Sequence, residues 1–183
     1  IAWEAFLNDL YERGLTGEGV KLIVADGGAG LLTALPLVYS QIPLQRCWAH
    51  KIRNILDKSK KKDRESMKTD LHKIIYAENK TQARKAARRF ADKWERIYPK
   101  AVRCLRDDLD DLLSFFMFKT QRWRNATRTT NAIERRFREV RRRTRPMGVF
   151  YDRTSVARIL FAVFTYENKQ QGIATPFLLT QNS

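Results

Sequence analysis

The first residue that could do chemistry is Asp26. It closes the run Val20-Lys21-Leu22-Ile23-Val24-Ala25 and is followed by Gly27 and Gly28. A short apolar, β-branched run reads as a buried strand, and ligands of open α/β sheets gather at the carboxyl ends of strands. A carboxylate there, with glycines giving access, can hold a divalent metal. The same residues also spell an Asp-Gly turn, a common way to end a strand. The second candidate is Glu134. It and Glu139 are the only acids among the ten arginines of residues 121–145. Glu134 falls just inside a helix that Thr129, Thr130 and Asn131 can cap. Ile133 and Phe137 bracket it at a spacing that turns this side toward a core. The competing reading is an i,i+4 ion pair with Arg138, an option Glu139 shares with Arg135 or Arg143.

Cys47 and His50 form a Cys-x-x-His step, and with Cys104 and His72 they complete the chain's thiols and imidazoles. A structural zinc site takes four such ligands, and these spacings are unlike a finger. A hydrogen-bonding role for His50, structural or at an active site, and a buried small side chain for Cys47 are expected instead. Trp123 lies between Arg122 and Arg124, where an aromatic flanked by cations can stack on an unpaired base. The alternative is a core tryptophan.

The chain carries 36 Lys+Arg against 20 Asp+Glu, net +16. That balance favours a polyanionic partner, nucleic acid above an anionic membrane surface. The excess sits in two blocks: residues 51–100 hold 17 basic and 7 acidic side chains, and residues 121–145 hold 10 and 2. The first contains the lysine run 58, 60, 61 and 62, which reads as a solvated loop. The second is all arginine, whose planar fork clamps two phosphate oxygens at once. No apolar stretch approaches the ~20 residues of a membrane span. Two cysteines make no disulfide framework, which points to a reducing compartment.

Elements to position these groups can be read from periodicity. Residues 3–13 pattern as a helix, 20–25 as a strand, 30–39 as a helix with Pro36 near its end, 42–47 as a strand and 50–57 as a helix. From 59 to 120 the strand signal is absent. Three helical faces follow: Leu71, Ile74 and Ile75; Ala83 through Trp94 and Ile97; and Val102 through Leu113. A helix to about Thr144 ends at Pro146-Met147-Gly148. A last one over 152–169 buries Val156, Ile159, Leu160, Val163 and Phe164.

Three ordered motifs carry a family resemblance. They are Val24-Ala25-Asp26-Gly27 with Gly30-Leu31, Gln45-Arg46-Cys47-Trp48-Ala49-His50 with Arg53-Asn54, and Thr130-Asn131-Ala132-Ile133-Glu134-Arg135. Together they resemble the Mutator-type transposases of bacterial insertion sequences. The resemblance implies an α/β fold, mainly helical here: a partial ribonuclease-H-like core with an α-helical insertion. It implies an Asp-Asp-Glu triad binding two Mg²⁺ or Mn²⁺ ions, with Asp26 as the second Asp and Glu134 as the final Glu. The first Asp of such folds lies on an earlier strand. Only a helix and a Gly-rich turn precede Asp26 here, and Asp9, inside the helix pattern, is a poor substitute.

The chain therefore reads as the C-terminal part of a transposase, with an incomplete metal site and no activity by itself. The expected segments are 1–57 and 127–171 for the catalytic core, 58–126 for the insertion and 172–183 for a tail. Catalytic roles fall to Asp26, Glu134 and His50. DNA contacts fall to Arg122, Trp123 and Arg124 and to arginines 135, 136, 138, 141, 142 and 143. The resemblance further implies DNA ends and target DNA as partners, a homo-oligomer, no membrane, and a bacterial cytoplasmic location at the nucleoid. A non-catalytic nucleic-acid-binding helical module is the alternative, resting on charge alone.

Overall fold

The computed structural model describes residues 2–170 and 172; the rest of the 172–183 tail lies outside the described residues. The chain divides into two compact units, one running to Thr130 and one starting at Asn131.

In the first unit, helix α1 (Ala2–Glu12) leads into strand β1 (Ile23–Ala25), helix α2 (Ala29–Val38) and strand β2 (Leu44–Arg46). β1 and β2 pair in parallel, Ile23 opposite Leu44, Val24 opposite Gln45 and Ala25 opposite Arg46. The strands are shorter than the apolar runs suggest. Pro43 has no N–H to extend the ladder, so its carbonyl accepts from Ile23 and pairing starts there. Leu7, Ala25, Ala34, Leu35 and Tyr39 form a small core under the pair. At Gly30 an added Cβ would lie 3.0 Å from the Trp3 ring, so α1 packs on α2 through a glycine.

Helix α3 (Trp48–Leu56) follows β2 directly and opens the helical region: α4 (Arg64–Ile75), α5 (Lys80–Trp94), α6 (Pro99–Arg106) and the single turn α7 (Leu109–Leu112). They share one core built on Trp48, Ile55, Met67, Leu71, Ile74, Phe90, Leu105 and Phe115. Asn79 caps α5 by accepting from the Gln82 N–H at 2.9 Å, as a cap should.

Two expectations are corrected here. Ile97 does not continue the α5 face; it is exposed, and Tyr98 takes the core position. The residue before a proline is pushed out of helical geometry, and Tyr98 precedes Pro99 with φ −135°. The leucine pattern from Val102 to Leu113 is two helices, not one. It breaks at Asp108, which leaves helical geometry (φ −118°, ψ 12°).

Helix α8 (Gln121–Thr127) completes the first unit. The second holds α9 (Asn131–Thr144) and α10 (Arg153–Gln170). A 3₁₀ turn at Arg145–Met147 and Gly148, at φ 65°, end α9 where Pro146 and Gly148 placed its stop. Val140 and Val163 are the buried side chains of these two helices. Val156, Ile159, Leu160 and Phe164 are only half-buried. Ile133 and Phe137 are exposed, contrary to the core-facing expectation. Phe137 meets Phe164 edge to face, ring centres 6.4 Å apart. Apolar spacing marks which residues could be buried, and α9 has too little packed on it to bury them all.

Candidate functional site

Asp26 stands at the exposed end of β1. Its Oδ1 accepts the Gly28 N–H at 3.1 Å, the contact of an Asp-Gly turn. Its backbone carbonyl accepts from Arg46 Nε at 2.8 Å, across the strand pair. Gly27 leaves room for that approach: a Cβ there would stand 3.0 Å from the Arg46 guanidinium, which would have to shift. Turn and accessible carboxylate therefore coexist in one residue.

Behind Asp26 lies a polar network that sequence reasoning missed. Arg46 pairs with Asp108 at 2.9 Å, and the buried Lys51 pairs with the same carboxylate. Lys51 also donates to the Cys104 carbonyl at 3.1 Å. Gln45, wholly buried, donates to the carbonyls of Arg46 (2.7 Å) and Leu112 (3.0 Å) and accepts the Phe115 N–H at 2.7 Å. Trp48 Nε1 donates to the same Leu112 carbonyl at 2.8 Å. These bonds fasten the helical region to β2 and α3. Buried polar groups need partners, and apart from the Arg46 carbonyl next to Gln45 each partner here is roughly 50 to 70 residues distant in sequence. Two signals were present: Trp48, Lys51 and Ile55 share one helical face, and Asp107-Asp108 interrupts the leucine pattern. Neighbouring Asp111 has its carboxyl raised above the ordinary value, by burial first and then by Asp108.

Cys47 is buried, as expected for a small side chain, and is also a hydrogen-bonding centre. Its Sγ lies 3.3 Å from His50 Nδ1 and accepts from the Thr130 N–H and hydroxyl, each at 3.3 Å. Burial raises the thiol's pKa, but the bonds from Thr130 and His50 outweigh it and leave the thiol below its ordinary value. The Trp48 N–H donates to the Arg128 carbonyl at 3.0 Å. The Cys-x-x-His step thus joins the start of α3 to the segment after α8. Among the described residues, no three His, Cys, Asp or Glu side chains gather into a group that could hold a metal ion. Both cysteines are free thiols.

The arginines divide by what they touch. Arg124 is committed internally: Nε donates to the Phe118 carbonyl at 2.7 Å, a second nitrogen donates to the Glu78 carbonyl at 2.9 Å, and its plane lies over Phe116. Arg122 and Trp123 beside it are exposed, and Trp123 stacks on Phe118 with ring centres 6.0 Å apart. On α9, Glu134 is exposed in the first turn. Arg136 donates to Asn168 at 2.7 Å. Arg142 and Arg143 hold Glu139, at 3.0 and 2.7 Å. Those two, Arg143 first, draw the Glu139 carboxyl below its usual range. Arg135, Arg138 and Arg141 are exposed, and the first two line a basic hollow of about 380 Å³ with Arg136. Asp9, the poor stand-in for a first Asp, sits in α1 and pairs with Arg13 at 3.2 Å.

A carboxylate ending a parallel strand, a Cys-x-x-His step fastened beside it and an arginine-dense helix together fit the class of proteins that handle polyanions. The chain belongs to the Mutator family of transposases, which it matches over residues 1–172. It is 37% identical over 176 residues to the transposase of insertion sequence element IST2 from Acidithiobacillus ferrooxidans, covering 96% of this chain and 59% of that protein. It is 32% identical to the ISRM5 transposase of Rhizobium meliloti, over 91% of this chain and 42% of that protein. It is 36% identical to the IS6120 transposase of Mycolicibacterium smegmatis, over 79% and 44%. The chain thus spans roughly half the length of these relatives. No helix among the described residues is long and apolar enough to cross a membrane.

Proposed function

We propose that this chain is the part of a DNA transposase that carries the second and third carboxylates of an Asp-Asp-Glu triad, Asp26 and Glu134. The reading rests on one observation: within a chain of the Mutator family, Asp26 stands exposed at the carboxyl end of a strand in a parallel pair. The fold that would position it is ribonuclease-H-like, interrupted by the helices of residues 58–126.

Mg²⁺ and Mn²⁺ take oxygen ligands, and the donor chemistry fits: Asp26 and Glu134 are both exposed carboxylates. They would hold the ions together with a first Asp outside this chain. When bound, a metal pair activates an attacking oxygen and stabilises a leaving one at a phosphodiester. The substrates would be the element's DNA end, cut first, and then target DNA joined to the freed 3′-hydroxyl. The exposed arginines 122, 135, 138, 141 and 142 would hold phosphates, with the half-buried 136 and 143 beside them. Trp123 would stack on a base near the cut. His50, through Cys47, would hold the segment leading into α9. The full transposase would act as a homo-oligomer on paired ends, in the bacterial cytoplasm.

In a transposase carrying this chain, Asp26→Asn and Glu134→Gln should each lower DNA cleavage about a thousandfold, the scale of losing several kcal/mol of charge stabilisation. DNA binding should be retained. Unchanged nicking rates in both variants would end the assignment and leave a binding module.

A further inference from the structure

A shallow cleft of about 480 Å³ opens beside Gly27, the residue after Asp26. Five cations line it, Arg46, Lys51, Lys58, Lys100 and Arg103, against the carboxylates of Asp107 and Asp108. Asp108 is shared by Arg46 and Lys51, so that trio keeps one positive charge in fixed geometry. Lys100 and Arg103 are exposed, three residues apart on α6, and so lie on one face. Lys58 follows the end of α3, its Nζ on the Asn54 carbonyl at 3.0 Å. A guanidinium has five N–H donors, and Arg46 spends one on Asp26 and one on Asp108. The remaining donors and the flanking cations make a track of net +3 running up to Asp26.

We propose that this cleft seats the phosphodiester backbone of the nucleic acid strand passing Asp26, with Lys100 and Arg103 of the helical region as direct phosphate contacts. The proposal rests on the reading of Asp26 given above. It gives a task to Lys58, which composition alone assigns to a solvated loop. It also gives a reason for the Lys51 and Arg46 bonds: they tie Cys104 of α6, and Asp108 just past its end, to α3 and β2. An open, shallow track of several like charges suits a repeating polyanion, whereas a single anionic metabolite would be better held by an enclosed pocket.

The test is fluorescence anisotropy of this chain with a labelled duplex of arbitrary sequence, in EDTA so that no cleavage contributes, across a salt series. Each lost phosphate contact lowers the slope of log affinity against log salt by about 1. Lys100→Ala/Arg103→Ala should therefore lower it by about 2 and Lys58→Ala by about 1. An equal charge loss elsewhere, Arg88→Ala/Arg89→Ala on exposed α5 positions, should leave it unchanged. Circular dichroism melting should show all three variants folded. A cleft variant with the wild-type slope, or an equal drop in the α5 variant, would overturn the proposal. So would displacement of the duplex by polyglutamate as readily as by unlabelled DNA, which would make the cleft a seat for acidic protein. Loss of slope in the cleft variant alongside full cleavage by Asp26→Asn would sink the reading of Asp26 and leave the phosphate track standing.

Discussion

Two regions of this chain carry their positive charge in different ways. In α5 the cations Arg84, Lys85, Arg88 and Arg89 cover the outside of a helix whose other face, Ala83, Ala87, Phe90, Ala91 and Trp94, is buried. There the charge sits on an element already held by packing. In α9 the arginines surround a helix that buries Val140 and leaves Ile133 and Phe137 exposed. Its side chains are held mainly by polar contacts: Glu139 to Arg142 and Arg143, Arg143 to Glu167, and Arg136 to Asn168. Most of these pairs are half-buried, and ion pairs within reach of solvent contribute little to stability. The lesson is that a basic segment can be the outer skin of a core or a helix that waits for its anion. The second kind is expected to gain most order when nucleic acid binds.

The comparison breaks most visibly in the core. Phe90→Ala should destabilise the first unit by about 3–5 kcal/mol, the usual cost of emptying a large aromatic site. Val163→Ala in α10, which removes two methyl groups, should cost about 1.5 kcal/mol. Urea denaturation followed by tryptophan fluorescence and helical signal would measure both. Equal losses would erase the distinction.

The polar network comes next. Lys51→Ala leaves Asp108, four-fifths buried, with only Arg46, and should cost about 3 kcal/mol. Gln45→Ala strands the Phe115 N–H and weakens the hold on Leu112, at about 1–3 kcal/mol. Both losses should appear as lower urea midpoints. If either variant unfolds as the wild type does, the network is not what fastens the helical region to β2.

The smallest effect is the pH dependence that Asp70 gives to the first unit. Burial raises the carboxyl of Asp70, but hydrogen bonds from Lys73, Lys93 and Trp94 outweigh it and draw it below the ordinary value. A depressed carboxylate stabilises the fold above its unfolded pKa, near 4, and that contribution is lost as pH falls through the lower folded value. Asp70→Asn should therefore narrow the gap in urea midpoint between pH 7 and pH 3. An unchanged gap would show that Asp70 contributes no pH dependence.

Much of this arrangement was legible in the residues. The 3.6-residue period of α1, α5 and α10 marked them as helices, and Pro146 with Gly148 marked the end of α9. Asp26 was legible because an apolar run, an acid and two glycines make one local pattern. The missed features depend on distant partners. The face that Lys51 shares with Trp48 and Ile55 marks it as inward, but local sequence does not say that Leu112, Phe115 and Asp108 are the partners of Gln45 and Lys51. Arg124 and Arg122 are alike in sequence, yet one is spent on the Phe118 and Glu78 carbonyls and the other is exposed. Ile133 and Phe137 show the converse, an apolar spacing without a surface to cover it.

The central proposal is that Asp26 and Glu134 would serve one metal site. Iron-mediated backbone cleavage tests it most directly. Fe²⁺ is loaded in place of Mg²⁺ into a DNA-bound transposase carrying this chain, hydroxyl radicals are generated with ascorbate and peroxide, and the cut peptide bonds are mapped. The account predicts cuts beside both Asp26 and Glu134, both suppressed by excess Mg²⁺ and both lost in Asp26→Asn. Cuts at only one of them, or none at either, would contradict it.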